Sequence, residues 1–270
     1  MLVACLGDVM LDVVADLDHA LVTDDEMPAR ITVGAGGQAA NVATWVTALG
    51  GGARLLGPRG DDASGRLVTD ALGRHGVELV GTETHATGAV VSLVVDGTRS
   101  MASDPGDLGW LAAVRAGPWL DGVDWLFVSG YALLRAPDPR HLVRIAEVAR
   151  EHGTRVAVDL ASASMVARSG ADAFASLCRS LRPSVVFANE SELAVTGSDF
   201  GADPVLVVKR GGVGACFVVD GVPEERTPAK GAVVDVTGAG DALAAGYLLG
   251  GPDLAMVAAG RCVARRGAQP

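Results

Sequence analysis

Aromatic residues are scarce, at 4% of the 270, and the four cysteines, Cys5, Cys178, Cys216 and Cys262, are scattered without a Cys-x-x-Cys spacing. Neither a zinc site nor a disulfide framework is indicated. Cys5 and Cys216 are expected in strands as small apolar residues. His19, His75, His85, His141 and His152 lack ligand spacing, and neither a Gly-x-Ser-x-Gly nucleophile turn nor a Walker A sequence occurs. Hydrolase and P-loop readings thereby lose their main supports. Positive charge is also short: 22 basic against 32 acidic residues give a net charge of -10, which opposes non-specific binding to nucleic acid or an anionic membrane. The start Met1-Leu2-Val3-Ala4-Cys5-Leu6 is too short for a signal h-region and has no basic n-region, and no apolar run approaches the ~20 residues of a membrane helix, so a cytoplasmic protein is expected. With no polar or Pro-rich linker and no internal repeat, one α/β domain spanning 1–270 is expected.

What is present is Ala, Val and Leu in short apolar runs alternating with amphipathic stretches: 54–56 then 63–75, 125–128 then 139–152, 156–159 then 165–181. Such alternation predicts a parallel sheet with helices on both faces. Two regions break it. Residues 13–17 with 30–33, and 89–95 with 98–102 across Asp96-Gly97, read as antiparallel strands without intervening helices. They form a small β-sheet beside the main one, or an edge that pairs with a second subunit.

Near the C-terminus Val233 and Val234 read as a short strand leading into Asp235-Val236-Thr237-Gly238-Ala239-Gly240-Asp241, with a helix following over 242–249. Gly238 and Gly240 let the backbone turn sharply, and the unpaired N–H groups of the new helix suit an anion. A carboxylate there repels phosphate unless it has a task such as taking a proton from an attacking hydroxyl. Asp241 is that carboxylate, set against the plainer reading of an N-cap.

Other segments supply what such a site needs. Asn189-Glu190-Ser191-Glu192 follows the apolar run 185–188, so its acids stand at the C-terminal end of a strand, where open α/β sheets bind ligands. Glu192 suits Mg²⁺ held through water, or equally a helix first turn. Residues 205–208 lead into Lys209-Arg210-Gly211-Gly212-Val213-Gly214 and then 215–219, a β-hairpin whose turn carries two cations and three glycines. Lys209 and Arg210 are the local cations an anionic nucleotide would need. Gly36-Gly37-Gln38-Ala39-Ala40-Asn41 opens a helix that Gly50-Gly51-Gly52 ends. Gly34 to Ala39 with Asp61 also fits the dinucleotide pattern, but that fingerprint belongs after the first strand, which here is 2–6.

Together Gly7-Asp8, Gly36-Gly37 with Asn41, residues 60–65, Asn189 to Glu192, Lys209 to Gly214 and Thr237-Gly238-Ala239-Gly240-Asp241 resemble the ribokinase-like carbohydrate kinases, the PfkB family. The resemblance implies a three-layer αβα sandwich with a small β-sheet lid, formed by about 12–34 and 88–103. It also implies transfer of the γ-phosphoryl of ATP to a hydroxyl of a sugar, sugar acid or nucleoside. By it Asp241 is the base, and the amides of Gly238, Ala239 and Gly240 form the anion hole. Asp12, Gly36, Gly37 and Asn41 hold the acceptor, Lys209, Gly211 and Gly214 line the nucleotide groove, and Asn189 with Glu192 serves hydrated Mg²⁺. Asp235 fits the family's monovalent-cation site, for K⁺, and the lid would allow a homodimer. Met10 and Gln38 replace polar residues of ribokinase, which argues against ribose as acceptor. The lid segments contain no aromatic residue to stack on a base, favouring a sugar over a nucleoside, although Tyr131 follows the strand ending at Ser129. A non-catalytic metabolite sensor on the same fold is the alternative of another class.

Overall fold

The computed structural model describes residues 1–95, 98–202, 204–228 and 230–270. In chain order the strands are β1 Leu2–Leu6, β2 Met10–Leu17, β3 Ala29–Gly36, β4 Gly52–Leu56, β5 Arg59–Gly60, β6 Glu78–Leu79, β7 Glu83–Thr84, β8 Gly88–Val95, β9 Thr98–Asp104, β10 Trp125–Ser129, β11 Arg155–Asp159, β12 Val185–Asn189, β13 Val205–Lys209, β14 Ala215–Val219 and β15 Val222–Arg226. The helices are α1 Gln38–Ala48, α2 Ala63–Arg74, α3 Gly109–Ala113, α4 Gly130–Arg135, α5 Arg140–Glu151, α6 Ala163–Ser169, α7 Ala171–Ser180, α8 Glu190–Thr196 and α9 Ala239–Val263.

Residues 3–6, 126–128, 156–158 and 185–188 have no polar face, so each run can only be a strand covered on both sides. Alternate side chains feed two cores. Val3, Cys5, Phe127, Val185 and Phe187 pack with Val42, Trp45 and Leu248 of α1 and α9, while Ala4, Leu6, Leu126, Val128 and Val186 pack with Leu133, Ile145 and Phe174 of α4, α5 and α7. The result is the expected three-layer sandwich. Among the described residues nine strands make the main sheet, in the order β15-β14-β13-β12-β11-β10-β1-β4-β6. It is parallel from β13 to β6, and β14 and β15 run antiparallel at one edge, so the hairpin read at 205–219 is present. The chain winds outward in one direction through β4 and in the other through β10, which makes the β1–β10 junction the topological switch point. Gly7, Asp8 and Ser129 stand at the C-terminal strand ends of that junction, and Asp159, Asn189 and Lys209 end the neighbouring strands β11, β12 and β13 on the same edge.

A second sheet, β3-β2-β8-β9, matches the small sheet read from the broken alternation. It is two antiparallel hairpins joined by the parallel pair β2–β8. The turn expected at Asp96-Gly97 lies outside the described residues. Asp12, Ser92 and Arg99 share one face by the period of two, and the exposed Ile31, Val33 and Val91 share the other.

Three local expectations are corrected. Residues 165–181 are two helices, because Gly170 at φ 99° ends α6 and caps α7. Val233 and Val234 form no strand: the amides of Val234 and Asp235 bond to the Val263 carbonyl at the end of α9, and both valines are exposed. Finally, α9 is long and apolar enough by composition to cross a membrane, although it is interrupted at Gly250 and Gly251 and contributes Ala244, Ala245, Leu248 and Ala258 to the core.

Candidate active site

The turn before α9 is held from below by Asp235. Its carboxylate accepts the Thr237 amide at 2.9 Å and the Gly267 amide at 2.9 Å, which fastens residues 264–270 against the turn. Burial works to raise the Asp235 pKa, but the bonds from Thr237 and Gly267 win and hold it below the ordinary carboxylate value. Gly238 then adopts φ 74°, and a Cβ there would stand 2.6 Å from the Ala268 Cα and carbonyl oxygen, so only glycine fits. Among the described residues the amides of Gly238, Gly240 and Asp241 have no hydrogen-bond partner. The Ala239 amide does, turning back to the Val236 carbonyl at 3.3 Å. Of the three amides expected to form an anion hole, those of Gly238 and Gly240 are thus open and that of Ala239 is engaged, while the Asp241 amide is open beside them.

Asp241 lies in the first turn of α9, and its Oδ2 accepts from Asn41 Nδ2 at 2.8 Å. Burial pushes its pKa up to about 7, with Asn41 opposing, the Asp159 charge adding and Lys209 opposing. A carboxylate poised near neutrality is suited to proton abstraction. Asn41, expected at the acceptor, is engaged with this carboxylate, and Gln269 Nε2 reaches Asn41 Oδ1 at 3.5 Å.

Gly36 and Gly37 are needed for close approach. A Cβ on Gly37, at φ 98°, would stand 2.4 Å from the Asp8 carbonyl oxygen, and one on Gly36 would stand 2.8 Å from Asp12 Cβ. The pair therefore lets β3 and the start of α1 press against Asp8 and Asp12. Asp8 is ion-paired with Arg135 at 2.7 Å. Burial raises the Asp8 pKa and Arg135 opposes it. Asp12 is likewise raised by burial, with Arg99 opposing and Asp235 adding. Arg99, projecting from the lid strand β9, donates to Ser92 Oγ and to Thr237 Oγ1 and stands 3.9 Å from Asp12. It joins the lid to the glycine turn.

At the strand ends Asn189 and Glu192 form a reciprocal capping box. The Asn189 N–H and Nδ2 each donate to the Glu192 carboxylate at 2.8 Å, and Asn189 Oδ1 accepts the Glu192 amide at 2.9 Å. Glu192 is buried, and its pKa is raised by that burial, opposed by Lys209 and reinforced by Asp159. Lys209, expected to line the nucleotide groove, is ion-paired: its Nζ meets the fully buried Asp159 at 2.7 Å, and its stem lies beside Gly240. Burial would lower the Lys209 pKa, but Asp159 and Glu192 raise it more. Arg210 pairs with Glu225 at 2.7 Å and faces Glu190 at 3.4 Å. Of the glycines placed in the nucleotide groove, Gly211 opens a single 3-10 turn at φ 55°. Gly214 passes so close to the Arg226 carbonyl that a Cβ would lie 2.0 Å from it. Both shape the hairpin turn.

Asp159, Arg99, Arg135 and Gln269 were not singled out from the sequence. Only Asp159 had a local signal, as a lone acid ending an apolar strand.

A family model described as pfkB family carbohydrate kinase matches residues 1–253. The chain is 33% identical over 261 residues, 90% of this chain and 82% of the other, to an ATP-dependent ribose-1-phosphate kinase of Halopiger xanaduensis. Among solved structures it superposes on a probable sugar kinase from Rhizobium etli with a TM-score of 0.85 at 24% identity, covering 100% of this chain and 94% of that one. It also superposes on the adenosine kinase from Sinorhizobium meliloti with a TM-score of 0.79 at 25% identity, covering 100% and 95%. The family match and the 33% identical relative together make this chain a member of the PfkB family of carbohydrate kinases.

Proposed function

We propose that the protein transfers the γ-phosphoryl of ATP to a hydroxyl of a sugar or sugar derivative. The observation that carries this reading is Asp241, a half-buried carboxylate with its pKa near neutrality, set beside the open amides of Gly238 and Gly240. The acceptor hydroxyl would lie between Asp241 and the γ-phosphorus. Asp241 takes the proton as the new P–O bond forms and the bond to ADP breaks, and the amides of Gly238, Gly240 and Asp241 stabilise the phosphoryl oxygens. Lys209, neutralised by Asp159, braces the turn from beneath. Arg99 brings a positive charge from the lid and excludes water as the lid seats.

Glu192 and Asn189 supply hard oxygen donors suited to Mg²⁺, and because both Glu192 oxygens already accept from Asn189, the metal would be held through water. Bound there, Mg²⁺ would neutralise charge on the phosphates. The ionised Asp235 suits a monovalent cation such as K⁺. ATP and small metabolites as substrates accord with the expected cytoplasmic location. A second copy of the chain would cover Ile31, Val33 and Val91 on the outer lid face, and a mass that doubles with concentration would support that homodimer.

For the acceptor, Asp12 Oδ1 and Arg99 Nε are buried without hydrogen-bond partners among the described residues, so a polyol could satisfy both. A nucleoside is the second reading, supported by the adenosine kinase likeness. The Tyr131 ring, however, already has the Arg135 guanidinium 5.0 Å from its centroid. The test is ADP release across a panel of free sugars, sugar acids, ribose 1-phosphate and nucleosides. Ribose should rank low, since Met10 and Gln38 offer it little, and the best acceptor should be a sugar or sugar derivative. A nucleoside as best substrate would overturn the sugar reading, and saturable binding of a panel member without any turnover would establish a sensor.

A further inference from the structure

At the opposite end of the main sheet from Asp241, the loop before β12 meets the ends of α5 and α7. Arg150, Arg179 and Arg182 line one cavity of about 590 Å³ there, with Pro183, Ser184, Phe200 and Ala202 completing the wall. In a chain of net charge -10, three guanidinium groups around one hollow are a local reversal of sign.

Two of the three are tied to neutral carbonyls. Arg150 Nη1 donates to the Leu181 carbonyl, and Arg179 Nη1 to the Asp199 carbonyl at 3.0 Å. Such bonds orient a guanidinium without cancelling its charge and leave further N–H donors of each fork for a ligand. The acids in reach are peripheral: the exposed Asp199 carboxylate is 3.8 Å from Arg179, and Glu147 and Glu151 flank Arg150 on its own helix. Among the described residues no carboxylate lines the cavity or pairs with Arg182. The Arg150 pKa is lowered by burial first and by the Arg182 charge second, a repulsion that a bound anion would relieve.

Arg182 carries an independent signature. It follows the C-cap Leu181 of α7 with φ 49°, in the left-handed region where a helix-ending glycine is the usual choice. A long β-carbon side chain held in that conformation is strained, and such strain concentrates where a side chain has a task.

We propose that this cavity binds the phosphate group of a small phosphorylated metabolite. The three guanidiniums supply the fork geometry that phosphate oxygens accept, and the exposed Ser184 and Ala202 border the space left for the body of the molecule. The volume exceeds what a lone phosphate fills and lies in the range of small-molecule pockets.

The test compares wild type with Arg182→Gly by titration calorimetry, using inorganic phosphate and glucose 6-phosphate as probes. Glycine relieves the strained backbone, so the variant should fold and, in phosphate-free buffer, melt at a higher temperature than wild type. It should nevertheless bind both probes about 10-fold more weakly or worse, the worth of lost charge-assisted hydrogen bonds. In wild type, tighter binding of glucose 6-phosphate than of inorganic phosphate identifies the metabolite as the ligand, and equal binding identifies the free anion. Either probe bound at the Gly238–Asp241 turn contributes equally to both proteins, so the difference isolates the cavity whatever the reaction catalysed at Asp241. Equal affinities in wild type and variant would overturn the proposal.

Discussion

On the sheet side of the site two buried groups find hydrogen-bond partners within the chain: Lys209 meets Asp159, and Glu192 takes both donors of Asn189. On the lid side, Asp12 Oδ1 and Arg99 Nε are buried with no hydrogen-bond partner among the described residues, although Asp12 Oδ1 stands 3.9 Å from Arg99 Nη2. The first arrangement is complete without substrate and can serve any acceptor. Under the proposed function the second would be completed by the acceptor, because buried polar atoms are costly until satisfied. Under the proposed function, chemistry would therefore reside in the strand ends and the glycine turn, and acceptor choice in the lid.

The largest effect that would sharpen this division is at the turn. Asp241→Asn keeps size and hydrogen bonding but removes the proton acceptor, so kcat should fall by roughly 10²–10⁴-fold with ATP affinity hardly changed. Loss of both turnover and nucleotide binding would make Asp241 structural. Next comes Lys209→Met, which leaves Asp159 buried with no counter-charge and should cost about 3–5 kcal/mol of stability in denaturant unfolding. A near-neutral result would show that the sheet-side pairs are not interlocked. On the lid, Arg99→Ala should raise the acceptor KM about 10–100-fold with a smaller change in unfolding free energy than Lys209→Met. If stability fell as much as in Lys209→Met, the contrast between the two sides would fail. Smallest is Glu192→Gln, expected to raise the Mg²⁺ concentration needed for half-maximal activity, with an unchanged requirement removing Glu192 from the metal site.

The same contrast governs what could be read from the sequence. Buried strands such as 3–6 and 185–188 and the glycine turn before Asp241 are local patterns, since composition and spacing dictate them within a few residues. The partners are not local. Lys209 and Asp159 are 50 positions apart, and nothing around Arg99 in Thr98-Arg99-Ser100-Met101 announces that its side chain reaches Thr237. Even the helix break at Gly170 was masked, because the apolar spacing carries on through it while the backbone does not. The loop at Val233-Val234 was misread for the opposite reason: two valines favour a strand, but the amides of Val234 and Asp235 are taken by α9 rather than by a neighbouring strand.

The central claim is that Asp241 accepts the proton, and the pH dependence of kcat/KM tests it most directly. Burial raises the Asp241 pKa to about 7, so the ionised base is lost as pH falls through that value and the rate should drop with it. The terminal phosphate of ATP also titrates in this region, so wild type and Asp241→Asn must be measured over the same range, and only a limb present in the first and absent from the second counts. The predicted result is a wild-type profile falling with unit slope below a pH of about 7 and a low profile in Asp241→Asn that lacks this limb. Parallel profiles in the two proteins would contradict it.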